Sequence, residues 1–277
     1  MATDTNFPSR PRLEASYVSN GIDFSIDDHV AQVTIDRQER LNSLDQHAQD
    51  ELERVWQAIE CDRSVRLVVL TGAGDRAFCA GDDMKSDLGK VDLDYWLDPR
   101  PNGFGHLPLR TTLDVPVIGR INGYALGGGL ELVIGCDVAV AVDDAEFGFV
   151  EPRLGRLPLD GGIVSLTRQV PSKFAMEILL TGRRFTASEA LRFGLVNQVA
   201  TRDELNATVD RWVEACLACA PLSLRAIKQI VKRTPHLSAA EARSMRLPAL
   251  VEVLQSRDAE EGLRAFREKR PPEWSGA

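Results

Sequence analysis

The sequence has no apolar run approaching the ~20 residues that a membrane-spanning helix requires, so no membrane association is expected. Its first stretch, MATDTNFPSRPRLEASYV, lacks a basic segment followed by an apolar one, so an export signal is not expected and a cytoplasmic location is. Cysteine is sparse, and Cys61, Cys79, Cys136, Cys216 and Cys219 form no even framework; they read as reduced thiols. Cys216 and Cys219 have C-x-x-C spacing, but WVEACLACAPL has the pattern of an amphipathic helix, so packing is the reading preferred over a redox role. The four histidines (His29, His47, His106, His236) show no ligand spacing and no metal is expected, and there is no G-x-S-x-G elbow for a serine nucleophile. Positive charge is in deficit: 33 Lys and Arg against 41 Asp and Glu give −8, which argues against a broad nucleic-acid face.

What is present is an ordinary globular composition of 277 residues, 44% apolar and 27% charged, enough for one large core or a core with an extension. The charge is unevenly placed. Residues 221–277 carry 11 Lys and Arg against 7 Asp and Glu, a net of +4, which leaves −12 on residues 1–220. The basic tail reads either as a solvated helical face or as a contact for a small anionic group.

Residues 1–22 are polar and proline-containing and read as a loosely held arm. VAQVTID (Val30–Asp36) alternates as a half-buried strand does, and a helix follows with Ser43 as its expected N-cap and Leu44, Ala48, Leu52, Val55 and Ile59 at helical spacing. VRLVVLTG (Val65–Gly72) and VPVIGRI (Val115–Ile121) read as buried strands, and CDVAVAVDDAEFG as one more. This strand–helix–strand order predicts an α/β core. Beyond about residue 165 the pattern is helical, with capping-box spacing at Thr186/Glu189 and Ser238/Glu241 and helices predicted over 203–219, 221–234 and 239–266. Residues 81–110 lose periodicity and read as a variable loop with a short helix near Tyr95–Leu97.

Two glycine motifs bear on chemistry. Gly72-Ala73-Gly74-Asp75-Arg76-Ala77 fits the dinucleotide fingerprint, but FCAGDDMK behind it lacks the small-apolar helical pattern, so a tight turn is the better reading. Gly127-Gly128-Gly129 lies just before a predicted helix. It suits either backbone N–H groups free to hold a developing oxyanion or a crossing too tight for side chains, and local grounds leave both open. Glu131 falls in the first turn of that helix, where it also complements the dipole, and Glu151 in FGFVEPRLG has the look of a loop acid. Two carboxylates that converge can divide acid and base roles once burial separates their pKa values.

In combination, FCAGDDMK (Phe78–Lys85), INGYALGGGLELVIGCD (Ile121–Asp137), AEFGFVEPRLG (Ala145–Gly155), LLTGRRFTASEALRFGLVNQV (Leu179–Val199) and AFREKR (Ala265–Arg270) resemble the enoyl-CoA hydratase/isomerase (crotonase) family over about residues 24–270. The resemblance implies an α/β spiral of ββα units over residues 23–200 that binds acyl-CoA, and a helical region over 201–277 for contacts in a homotrimer or dimer of trimers. It implies that the N–H groups of Asp82 and Gly128 form an oxyanion hole and that Glu131 and Glu151 are the catalytic pair. Phe78, Ala80, Met84, Lys85 and Gly127 are expected along the substrate channel, and Phe266 and Lys269 at the nucleotide end of CoA. CoA belongs to the substrate, so no separate cofactor is expected.

Having both glutamates favours hydration of a 2-enoyl-CoA over double-bond isomerisation, which needs a single proton shuttle. An isomerase is the runner-up, and a non-catalytic acyl-CoA scaffold the reading from another class. Departures from the family pattern are Val150 before Glu151, Asp160 where a small residue is usual, and the acidic pair Asp82–Asp83. Asp160 reads as a solvated turn residue, or else as a third acid near the site. The Asp82 side chain is expected to point away from the site, leaving its N–H there. Tyr95, Trp96 and Phe104 are expected to shape the acyl pocket.

Overall fold

The computed structural model describes residues 16–86, 92–97 and 100–277. Its first strands are β1 (Ser16–Ser19), β2 (Ile22–Asp27) and β3 (Val30–Ile35), an antiparallel meander. Residues 1–15 of the expected arm lie outside the described residues, and the remainder is not an arm. Ile22 is buried, and Ser19 Oγ and Asn20 Nδ2 donate to Glu51 Oε2 at 3.0 and 3.2 Å, which anchors the β1–β2 turn to the first long helix.

That helix, α1 (Gln46–Cys61), buries Ala48, Leu52, Val55 and Ile59 as the spacing predicts, and Trp56 with them, while Leu44 lies before its start. Its N-cap is Asp45, whose carboxylate accepts the Ala48 N–H at 2.9 Å, and not Ser43. Residues 43 and 44 are held otherwise: Leu44 bridges to Asp82. The chain then runs through β4 (Leu67–Gly72), β5 (Ala77–Cys79), α2 (Asp92–Leu97), β6 (Val117–Ile121), β7 (Tyr124–Leu126), α3 (Gly128–Gly135), β8 (Val138–Val142) and β9 (Glu146–Gly148).

Each turn of this spiral deposits one strand in each of two sheets. The larger sheet has the order β1-β2-β3-β4-β6-β8 and ends on β11 (Gln198–Ala200), with parallel pairing from β3 onward. The smaller has β5, β7 and β9 in parallel, closed by β10 (Phe185–Thr186) in the opposite sense. Strand β4, flanked on both edges, buries Leu67, Val68, Val69 and Leu70, as a parallel strand covered on both faces must. The expected ββα repetition is therefore present as β4–β5, β6–β7–α3 and β8–β9. The segment 72–77 is the tight connection between β4 and β5, pinned by Asn42 and Asn122, whose side-chain amides both donate to the Ala77 carbonyl. No helix follows it, so it carries no dinucleotide fold.

Helices α4 (Gly162–Gln169), α5 (Ser172–Thr181) and α6 (Ala187–Phe193) surround β10, and after β11 come α7 (Leu205–Leu217) and α8 (Pro221–Arg233). Both predicted capping boxes form. The single helix predicted over 239–266 is three: α9 (Ala239–Ser244), α10 (Pro248–Leu254) and α11 (Arg257–Glu268). The first ends as Met245 leaves the helical region, Pro248 opens the second behind an extended Leu247, and Ser256 caps the last by accepting the Ala259 N–H at 3.0 Å. Among the described residues, no helix is long and apolar enough to cross a membrane.

Candidate functional site

Because β5, β7 and β9 are parallel neighbours, their carboxyl ends lie side by side, and the chain leaves each end through residues singled out in the sequence. Gly81 and Asp82 follow β5, Gly127 and Gly128 follow β7, and Val150 and Glu151 follow β9. Ligands of parallel sheets gather at such ends, where the turns are free to diverge. A cavity of about 370 Å³ opens here, lined by these six residues and by Ala80, Met84, Tyr95, Phe104, Glu131, Leu154, Gly155, Arg156, Leu157, Pro158, Leu159 and Asp160.

The glycine cluster serves both readings that the sequence left open. A Cβ on Gly129 would fall 1.9 Å from the Cys79 carbonyl oxygen, and one on Gly128 would enter the Phe104 ring at 2.6 Å, so packing excludes side chains. Gly128 also opens α3, where N–H groups have no intrahelical acceptor. Opposite it, Gly81 has φ of +93°, and a Cβ there would lie 3.2 Å from the Gly128 nitrogen. Leu44 takes the backbone bonds flanking Asp82, giving its N–H to Gly81 at 2.9 Å and accepting from Asp83 at 3.0 Å. The Asp82 N–H therefore faces away from Leu44, and no acceptor among the described residues meets it. Two unengaged donors thus line one cavity.

Glu131, on the buried helix α3, accepts the Gly162 N–H at 2.8 Å. Burial is the main force pushing its pKa up to about 8, with the negative fields of Asp160 and Glu151 adding to it. Glu151, in the 3-10 turn Glu151–Leu154, has its pKa pushed up to about 7, again by burial. Its Oε2 is buried and has no hydrogen-bond partner, while a Cβ on Gly127 would lie 2.9 Å from its Oε1. Burial thus holds both carboxyls above the ordinary carboxylate range, Glu131 further than Glu151.

Asp160 is buried and lines the cavity, which corrects the reading of it as a solvated turn residue. The Tyr95 hydroxyl donates to its Oδ2, and Arg100 Nη1 stands 3.6 Å from the same oxygen. The Arg100 guanidinium in turn lies over the Tyr95 ring, 3.3 Å from its centroid. These contacts make a polar wall from α2, the following loop and the turn before α4. Asp82 borders the cavity, and desolvation, ahead of the fields of Arg100, Arg156, Asp83 and Asp160, raises the pKa of its carboxyl.

Of the residues expected along the substrate path, Ala80, Met84 and Gly127 line the cavity, and Tyr95 and Phe104 with them. Phe78 does not, because its β5 side chain is fully buried in the core. Lys85, Phe266 and Lys269 do not line it either. Phe266 stands out from α11, 84% exposed, and Lys269 caps that helix in the left-handed conformation. The Trp96 side chain and residues 87–91 lie outside the described residues. The sequence reading missed Arg100 behind Asp160, and Arg156, Leu154, Leu157 and Pro158 as cavity residues; only the position of residues 154–158 between Glu151 and Asp160 could have suggested the last four. Among the described residues, no group of three or more His, Cys, Asp or Glu is placed to hold a metal ion.

A sequence model of the Enoyl-CoA hydratase/isomerase family matches residues 25–277. Carnitinyl-CoA dehydratase of Proteus mirabilis is 39% identical over 253 residues, covering 89% of this chain and 95% of that protein. The crystal structure of an enoyl-CoA hydratase from Bacillus anthracis superposes with a TM-score of 0.86 at 32% identity, over 93% of this chain and all of that one. An enoyl-CoA hydratase from Mycobacterium smegmatis superposes with a TM-score of 0.84 at 30% identity, over 92% of this chain and 99% of that one.

Proposed function

The chain belongs to the enoyl-CoA hydratase/isomerase family, with its crotonase fold, and from that premise we propose that it catalyses the reversible addition of water to a 2-enoyl-CoA thioester. The observation that carries the reading is the meeting, in one cavity, of two unengaged backbone donors and two carboxyl groups with raised pKa values. The N–H groups of Asp82 and Gly128 hold the thioester oxygen. They draw charge from the conjugated double bond, make Cβ electrophilic, and stabilise the enolate that forms as oxygen adds.

The glutamates then act in sequence. Glu151, the more acidic of the two and unsatisfied at Oε2, accepts a proton from the water as its oxygen bonds to Cβ. Glu131, protonated and oriented by Gly162, delivers its proton to Cα of the enolate. Proton exchange between the carboxyls and solvent restores the starting state. The reverse sequence is a dehydration, the reaction named for the Proteus relative. The cycle as proposed uses the chain's own groups and the thioester alone.

The test is a panel of acyl-CoA thioesters, crotonyl-, longer enoyl- and carnitinyl-CoA included, read by mass for gain or loss of one water. Glu131→Gln and Glu151→Gln should each lose about 10²–10⁴-fold in kcat. Full activity in both variants overturns the mechanism. The burial of Asp160 favours one second reading, double-bond migration with a third acid as shuttle. That reading predicts a product of unchanged mass and activity that survives Glu131→Gln.

Oligomerisation belongs to the same proposal. Leu254, Leu263 and Phe266 expose 79%, 62% and 84% of their surfaces on α10 and α11, an apolar face suited to a second and third copy of the chain.

A further inference from the structure

Gln49, Glu53, Trp56 and Glu60 recur at helical spacing on α1, so they form one stripe, and all four grip the chain that returns from the cavity toward β6. Glu53 and Glu60 hold Arg110, accepting from its Nη1 and Nε at 2.6 Å each. The other two hold both backbone polar groups of Gly105. Trp56 Nε1 donates to the Gly105 carbonyl at 2.8 Å, and the Gly105 N–H donates to Gln49 Oε1 at 3.4 Å. Gly105 is also wedged, since a Cβ there would fall 3.2 Å from Leu52 of α1 and 2.9 Å from Leu132 of α3.

The gripped turn has an unusual backbone: Gly103, Gly105 and His106 have φ of +73°, +54° and +59°. Such a turn persists only where its surroundings over-determine it. Phe104 lies inside it, and its ring meets Gly128. A Cβ on Gly128 would lie 2.6 Å from Cγ, Cδ1 and Cε1 of that ring alike, and a point equally far from three consecutive ring carbons stands over the face. The Gly128 Cα therefore rests on the face of Phe104. Gly127–Gly129 has no side chain to fix the direction of its N–H groups, so that direction depends on what packs against it.

We propose that Trp56 is a positioning residue for the oxyanion site: its indole N–H, by holding the Gly105 carbonyl, seats the Phe104 ring on Gly128 and so aims the Gly128 N–H into the cavity. What that N–H does there rests on the hydration reading, while the seat of the ring belongs to the protein without substrate. Trp56 is fully buried and does not line the cavity, so it acts only through this relay. Phe104 does line it, and an apolar ring beside the donor keeps water from the place where the oxyanion develops. Without the indole donor the Gly105 carbonyl is left buried and unpaired, and the turn must shift to find another partner.

The experiment removes the donor in two ways. Trp56→Phe takes away the N–H and part of the bulk; replacement of Trp56 by 3-benzothienylalanine puts sulfur in place of the N–H and keeps the shape, so it serves if the first variant does not fold. The Gly128 Hα resonance, read in protein labelled with carbon-13 glycine, lies upfield in the parent because the ring face shields it. Either replacement should move it downfield without substrate, and should lower kcat for hydration about 10- to 100-fold with KM held within about threefold. Val55→Ala, a cavity elsewhere on α1, is the control: it should melt lower than the parent and move neither Gly128 nor kcat. A Gly128 resonance that stays in place in the Trp56 variants, or one that moves while hydration keeps its full kcat, overturns the proposal. A parent that hydrates no enoyl-CoA, with Gly128 still moving in the variants, overturns the hydration reading and leaves the seating of Phe104 by Trp56 standing.

Discussion

Gly81→Ala puts the proposed oxyanion site under direct mechanical test. The backbone there sits at φ +93°, where a non-glycine residue costs about 1–2 kcal/mol. The new methyl would stand 2.9 Å from the Leu126 carbonyl oxygen and 3.2 Å from the Gly128 nitrogen. Both are backbone atoms at the end of β7, so the walls must part by a few tenths of an ångström. The two donors, one on each wall, then no longer converge on a single oxygen. The strain alone should lower the melting temperature by about 2–8 °C in a chain of this size. The lost convergence should lower kcat by far more, about 10²–10³-fold, as removal of one oxyanion donor does elsewhere. Gly194→Ala is the control: φ is +78° and nothing lies within 4 Å of its would-be Cβ, so it carries the strain without the wedge. Calorimetry and hydration assays on the three proteins separate the effects. If Gly81→Ala melts lower but keeps kcat within about twofold of the Gly194→Ala control, Gly81 and Gly128 do not flank the reacting carbonyl and the reasoning fails.

Other expectations follow from the same contacts. Glu131 has its folded pKa raised from 4.5 to about 8, so its contribution to stability is complete below pH 4.5 and is lost as pH rises toward 8. Glu131→Gln, still able to accept from Gly162, should therefore be more stable than the parent at pH 7 by on the order of 3 kcal/mol, an advantage that vanishes near pH 4.5 in denaturant titrations; equal stability at pH 7 would refute the burial argument. Sedimentation should find the protein as a trimer or a multiple of it, and Leu254→Asp with Leu263→Asp should yield monomers of unchanged circular dichroism; a parent that sediments as a monomer removes that face from consideration.

Much of the fold was legible because its strands are buried on two sides and announce themselves as apolar runs: Leu67–Leu70 and Val138–Val142 need no context to be read. Capping boxes at Thr186 and Ser238 were equally plain, since both partners lie three residues apart. What failed depended on distant contacts. The anchoring of β1 rests on Glu51, more than thirty residues away, and nothing in Ser16–Ser19 itself reveals it. Phe78 is at home in a strand motif whichever way it faces, and only the pairing of β5 with β7 turns it inward. Asp160 was misjudged because aspartate in a turn is ordinarily solvated, and the two groups that make its burial tolerable, Tyr95 and Arg100, come from a stretch without periodicity.

The small parallel sheet works as a ruler. Neighbouring strands are separated by about 4.8 Å whatever their sequence, so the groups leaving β5, β7 and β9 are stepped at that interval. In the proposed cycle the thioester oxygen falls between the first two steps and the attacking base on the third. Distance along the reaction axis is thus set by the backbone lattice and not by any loop. The chain between β5 and β6 leaves through Gly81 and Asp82 and brings Phe104 back against Gly128, so it braces the first two steps. In the proposed cycle a change at Tyr95, which lines the cavity from α2 and not from a strand end, bears on the acyl group while the strand spacing stays fixed.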